Sequence, residues 1–151
     1  MVPARGSKGL SIVELIIGLF VIGLAATMAL FQWSQARDGA ALRAGARQVM
    51  LDLFSVRLRA AATNRTHRLV FSAGAASYQP QWRNGSAYVN LGPPVPLPQG
   101  VTVARCNATA QAIAFRPRGN AATFGTVVLR NRRGEERGVV VDIAGRVRLQ
   151  E

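Results

Sequence analysis

The stretch that decides the architecture is Leu10–Phe31, LSIVELIIGLFVIGLAATMALF, in which Ser11, Glu14 and Thr27 are the clearly polar members. As a helix rising about 1.5 Å per residue it extends roughly 33 Å, against a hydrocarbon core of about 30 Å. The run therefore predicts a membrane-spanning helix over residues 10–31. The preceding residues 1–9 are polar and carry Arg5 and Lys8, a charge placement that keeps the N-terminus in the cytoplasm. A cleaved secretory signal has a shorter apolar region of about 7–15 residues, so Thr27-Met28-Ala29 imitates a cleavage site without the rest of the pattern. A plain single-pass anchor fits the length but gives Glu14 no purpose. A carboxylate in a spanning helix costs on the order of 2.5–3.5 kcal/mol at the centre and less toward the edge, and such residues usually have a functional partner.

Beyond the run the apolar pattern turns periodic. Leu42, Val49, Leu53, Val56 and Ala60 follow one another at intervals of 7, 4, 3 and 4, the spacing of one helical face. This predicts an amphipathic continuation of the helix over 32–63, packed on the remainder of the chain and stopping near Thr63-Asn64. The whole helix would then be about 50 residues, roughly 75–80 Å. Gly39 and Gly45 weaken it by about 1 kcal/mol each.

From residue 64 to 151 the pattern is that of a β domain. Strands are expected at Arg68–Ser72, Ser77–Trp82, Ala87–Leu91, Val101–Arg105, Ala112–Arg116, Thr126–Asn131, Gly138–Ile143 and Arg146–Leu149, with Gly and Asn-Gly turns between them. The segment Gly92–Pro98 holds four prolines, which lack the ladder donor, and is expected as an extended connection. The fold class is α+β: a long N-terminal helix packed on an antiparallel sheet domain.

Composition narrows the function. Eighteen arginines and Lys8 face seven carboxylates, a formal net charge of +12. Such an excess of basic charge points to a polyanionic partner, nucleic acid or a membrane surface. Cys106 and His67 are each the sole residue of their kind, so an internal disulfide, a cysteine metal site and a nucleophile–base pair are not expected. Glu135 and Glu136 are adjacent in a polar turn, a poor layout for acid–base catalysis. No enzyme activity, metal or cofactor is expected.

Lys8-Gly9-Leu10-Ser11-Ile12-Val13-Glu14 resembles the processing motif of type IV prepilins and type II secretion pseudopilins. The resemblance implies cleavage by a prepilin peptidase between Gly9 and Leu10, after a leader of residues 1–9, and N-methylation of Leu10. It also implies an assembly role for Glu14, whose carboxylate would neutralise the Leu10 amine of a neighbouring subunit. Leu10 and Ser11 stand where that family more often has Phe and Thr. Further on, Ile113-Ala114-Phe115, Val127-Val128-Leu129, Val139-Val140-Val141 and the final Gly145-Arg146 segment resemble the GspH/FimT family of minor pseudopilins and minor type IV pilins. That family has the pilin fold. Its members implicate the bacterial inner membrane, with the C-terminal domain in the periplasm, then a pilus or pseudopilus of like subunits.

Gly145-Arg146-Val147-Arg148 is the most pointed feature of the C-terminal domain. If Val147 and Leu149 face the core, Arg146 and Arg148 share the other face, about 6.6–6.8 Å apart along the strand. This matches two steps of about 3.4 Å along one DNA strand, and guanidinium groups engage phosphates bidentately. The FimT branch, resembled here, uses a GRxR motif to bind DNA in natural transformation. That resemblance makes Arg146 and Arg148 the expected phosphate contacts, helped by Arg130, Arg132, Arg133, Arg116 and Arg118, with no base specificity. The function this implies is a minor type IV pilin that binds extracellular DNA for uptake; the alternative is the GspH role, a minor pseudopilin of a secretion system that acts through protein partners only.

Overall fold

The structure, a computed structural model, describes residues 11–150, with the side chains of residues 29–35 outside the described set. The leader and the expected cleavage pair Gly9 and Leu10 also lie outside the described residues. The chain divides into two units, one extending to Ala36 and one beginning at Arg37.

A single helix, α1 (Ile12–Thr63), enters both units. Glu14 lies in its first turn, where a carboxylate meets the positive end of the helix dipole. The helix stops where Asn64 takes a left-handed backbone, φ 51°, and the Arg65 N–H turns back to the Ala60 carbonyl at 3.2 Å. Asparagine tolerates this cap conformation better than other residues with a β-carbon, which is why the helix ends there. In the second unit α1 buries Leu42, Ala46, Val49, Leu53, Val56 and Ala60. Ala46 splits the interval of seven into four and three, so the buried stripe is continuous. Gly45 has a packing role: a β-carbon there would sit 3.3 Å from both Pro98 and Val101, so glycine lets the helix approach that loop.

The strands are β1 (His67–Phe71), β2 (Ser77–Asn84), β3 (Ala87–Asn90), β4 (Val95–Pro96), β5 (Thr102–Cys106), β6 (Ala112–Phe115), β7 (Ala121–Thr123), β8 (Gly125–Arg130), β9 (Glu136–Val141) and β10 (Val147–Gln150). They form two antiparallel sheets. One runs β3-β2-β1-β6-β7, with β4 also on β2; the other runs β10-β9-β8-β5. Alternation along β1 buries His67, Leu69 and Phe71, and along β9 it sends Val139 and Val141 inward. The apolar ones among these side chains, with Val103, Val127 and Leu129 of the second sheet, close one core with the α1 stripe.

The expected strands are present with small shifts at their ends. Two short ones were not anticipated. β4 lies in the proline-rich connection and pairs only at Ser77↔Pro96 and Tyr78↔Val95, an edge position of the kind proline tolerates. β7 is Ala-Ala-Thr, which carries no β-branched or aromatic alternation. The last strand also departs from expectation. β10 starts at Val147, so Arg146 belongs to the preceding turn, and Leu149 is 36% exposed instead of facing the core. β10 is the sheet's edge strand, and its C-terminal half projects past the shared core.

Candidate functional site

The first unit presents an apolar helix surface with one carboxylate. Every Val, Ile, Leu, Phe and Met from Ile12 to Met28 is exposed, between 48% at Leu24 and 78% at Ile12. Apolar residues all around a helix, with no face covered, need lipid or neighbouring helices to remove them from water. Thr27 adds little polarity, since its hydroxyl donates to the Leu24 carbonyl at 2.8 Å. Among the described residues no helix is long and apolar enough to cross a membrane.

The second candidate site is the turn joining β9 to β10. Gly145 adopts φ 79°, and a β-carbon there would lie 2.4 Å from the Gly119 carbonyl oxygen. The glycine of the Gly-Arg-Val-Arg pattern is therefore demanded by the fold, both by its backbone and by its contact with the β6–β7 turn. Asp142 organises the turn: its carboxylate accepts from the Arg146 N–H at 2.9 Å, and its own N–H donates to the Arg146 carbonyl at 3.1 Å. The Arg146 guanidinium also lies 3.8 Å from the Asp142 carboxylate, with the Arg146 side chain 77% exposed. Arg148 is exposed on β10 beside Thr126 and Val140.

The expected arginines do not form one cluster. The Ala121 N–H donates to the Ile143 carbonyl at 3.2 Å, which brings the turn carrying exposed Arg116 and Arg118 against the turn carrying Arg146. Arg130, Arg132 and Arg133 lie at the other end of β8 and β9. Arg130 pairs in register with Glu136, whereas Arg148 stands at the level of Val140 and Thr126. Four residues of strand, roughly 13 Å, separate the two levels.

The distal group is partly ion-paired. Arg130 and Arg105 both grip Glu136, with Arg105 at 3.1 Å, and Arg133 lies 3.5 Å from Glu135. The Arg130 hydrogen bonds, with a smaller contribution from the positive charge of Arg105, hold the Glu136 carboxyl below its ordinary range despite some desolvation. Arg132 extends over Gly100. Among the described residues, Arg116, Arg118 and Arg148 have no ion-pair partner.

Two residues that matter here escaped the sequence pattern. Arg57 on α1 donates to the Gly145 carbonyl at 3.1 Å and lies beside Gly119, so it holds both turns. Arg105, inside an expected strand, supplies the second cation on Glu136. The cation–aromatic pairs lie on the other sheet: Arg65 covers Trp82 at 4.5 Å, and Arg68 covers Tyr88 at 3.5 Å.

Three titratable groups are perturbed by burial. Tyr78 donates to Asp52, and desolvation followed by that bond pushes its hydroxyl well above the usual range. Burial also pushes the half-buried Cys106 thiol up. His67 is held below its ordinary value by burial, then by Arg59 and Arg65. The Thr63 hydroxyl gives its proton to the Arg59 carbonyl at 2.7 Å, so it accepts from His67 Nε2 at 2.9 Å. This network assigns the proton to Nε2 and leaves Nδ1 buried without a partner among the described residues.

The family model of the type II transport protein GspH matches residues 45–145. The minor pseudopilin EpsH from the Type 2 Secretion System of Vibrio cholerae superposes with a TM-score of 0.59 at 10% identity, covering 72% of this chain and 95% of that one. At that identity the likeness is one of fold. No curated protein matches the sequence.

Proposed function

Since the chain belongs to the GspH family of type II transport proteins, we propose that it is a minor pseudopilin of a type II secretion system, acting through contacts with other pseudopilin subunits. The observation that carries this is the pairing of a GspH-type domain with a helix whose apolar residues from Ile12 to Met28 are all exposed. Such a surface needs a bilayer before assembly and neighbouring helices after it. Gly9–Leu10 is the proposed site of prepilin peptidase cleavage and Leu10 of N-methylation. Leu10–Phe31 anchors the subunit in the bacterial inner membrane with the folded domain in the periplasm. Glu14 then neutralises the Leu10 amine of the next subunit. The Glu14→Leu variant is expected to fold and to remain membrane-bound, yet to fail to copurify with the other pseudopilins. Wild-type incorporation by that variant would sink the assembly role.

A second reading, DNA uptake by a minor type IV pilin, draws on one observation. Exposed Arg148 lies two residues from exposed Arg146, while Arg116 and Arg118, without an ion-pair partner among the described residues, reach the same end of the domain. Family membership and the pairing of Arg105, Arg130 and Arg133 with glutamates favour the secretion role. A gel shift with duplex DNA at low and high salt separates the two. Salt-sensitive binding that Arg146→Gln with Arg148→Gln abolishes supports DNA uptake, and the absence of any shift leaves the protein-partner role.

A further inference from the structure

α1 has a second stripe, on the face turned away from the core. Ala44, Arg47, Leu51, Phe54, Leu58 and Ala61 follow one another at intervals of 3, 4, 3, 4 and 3, and all are exposed. Leu51 is 61% and Leu58 71% exposed, with Phe54 between them at 37%. The stripe that packs the domain runs along Leu42, Ala46, Val49, Leu53, Val56 and Ala60, and the core does not include these residues. Three large apolar side chains in one row, on a surface otherwise rich in arginine, mark an interaction face. The 3-4 repeat is the seam a partner helix packs into, knobs into holes. From Ala44 to Ala61 the seam runs roughly 26 Å.

The charges beside the seam say what kind of helix fits. Arg43 borders it and Arg47 lies in it, both exposed and neither ion-paired among the described residues. Asp52, on the same stretch of helix, is engaged by the Tyr78 hydroxyl, and the Glu135 carboxylate, which comes near Gly39 beside Arg43, is taken up by Asn131 and Arg133. A second copy of this chain would set arginines against arginines, which is unfavourable across a helix seam. We propose that this stripe docks an amphipathic helix with acidic flanks, supplied by a different subunit of the same assembly. The inference rests on the pseudopilin reading and adds to it the chemistry of one partner.

The test uses the full chain in detergent micelles and two synthetic helical peptides. The peptides share a leucine seam and differ only in carrying glutamate or lysine on its flanks. By fluorescence anisotropy the glutamate peptide is expected to bind about tenfold or more tightly than the lysine peptide. Leu51→Ser with Leu58→Ser is expected to abolish binding, and Arg43→Glu with Arg47→Glu to reverse the order. All four positions are exposed, and an unchanged thermal melt verifies the fold of each variant. Equal binding of both peptides, or of neither, overturns the proposal, as does a photo-cross-linker at Leu58 that joins mainly two copies of this chain. Peptide binding does not involve Glu14, so failure here with normal copurification of pseudopilins overturns this inference and leaves the functional reading standing.

Discussion

The two halves of α1 are built from similar residues and used in opposite ways. From Ile12 to Met28 apolar side chains occupy every direction around the helix and all stay exposed. From Leu42 to Ala60 most of them follow one inward stripe, and that stripe is almost inaccessible: Val49, Leu53 and Ala60 are 0% exposed. Hydrophobicity by composition makes a helix that needs an outside partner, whereas hydrophobicity by period makes one that completes its own domain. The second half combines both, since Leu51, Phe54 and Leu58 add an outward row to the inward one. The helix is thus a docking element along its first half and, along its second, a core element with an exposed apolar row on its outer face.

The contrast is sharpest at leucines of equal size. Leu53→Ala is expected to cost about 3 kcal/mol, the transfer loss plus a cavity that its neighbours fill incompletely. Leu19→Ala, at a position 63% exposed, is expected to change the unfolding free energy of the domain by less than about 0.5 kcal/mol. Chemical denaturation of the full chain in detergent, followed by the fluorescence of Trp82 in a Trp33→Phe background, measures both. Equal effects would mean that the halves do not differ in the way their burial implies.

Glycines around the second half obey the same rule of environment over residue type. Gly145 touches the Gly119 carbonyl and lies beside Arg57 of α1, while Gly134, at nearly the same backbone angle, has open space where a β-carbon would go. Gly134→Ala meets only the left-handed backbone penalty, about 1 kcal/mol. Gly145→Ala adds a clash with backbone that has no room to move, for a total of about 2–3 kcal/mol. Matched losses would place the cost of Gly145→Ala in the backbone angle alone. They would also remove the packing reason for a glycine ahead of the two arginines.

What the sequence discloses is whatever a single period encodes. The α1 stripe, its end at Thr63 and the longer strands repeat a simple pattern of 3.6 or 2 residues. The apolar run and Glu14 are equally plain because they depend on local chemistry. β4 and β7 are short and lack β-branched alternation, so only their pairing partners define them. Leu149 obeys the alternation of its strand and is still exposed, because alternation cannot say where an edge strand outruns the core. The arginines form three short groups along the sequence, at 116–118, 130–133 and 146–148, and which groups meet depends on the β8–β9 register that sets Arg130 against Glu136 and Val141 against Gly125. Arg57 could not be assigned to the Gly145 turn before the helix was docked on the sheets.

Acid offers the gentlest way to separate the halves. His67 anchors the end of the second half through Thr63, and burial together with Arg59 and Arg65 lowers its pKa from 6.5. A histidine whose folded-state pKa is depressed is protonated first in the unfolded chain. Its contribution to stability is therefore whole above about 6.5 and is lost as the pH falls toward the lowered folded value, then levels off. Glu136, also depressed, begins to act only below its own unfolded value of 4.5. Between pH 6.5 and 4.5 the decline in unfolding midpoint should thus belong mainly to His67. His67→Gln keeps a donor for Thr63 but cannot take up a proton, and it is expected to flatten that part of the curve. If the slope persists in the variant, the buried imidazole is not its source. The acid sensitivity of the second half would then have to come from carboxylates elsewhere in the domain.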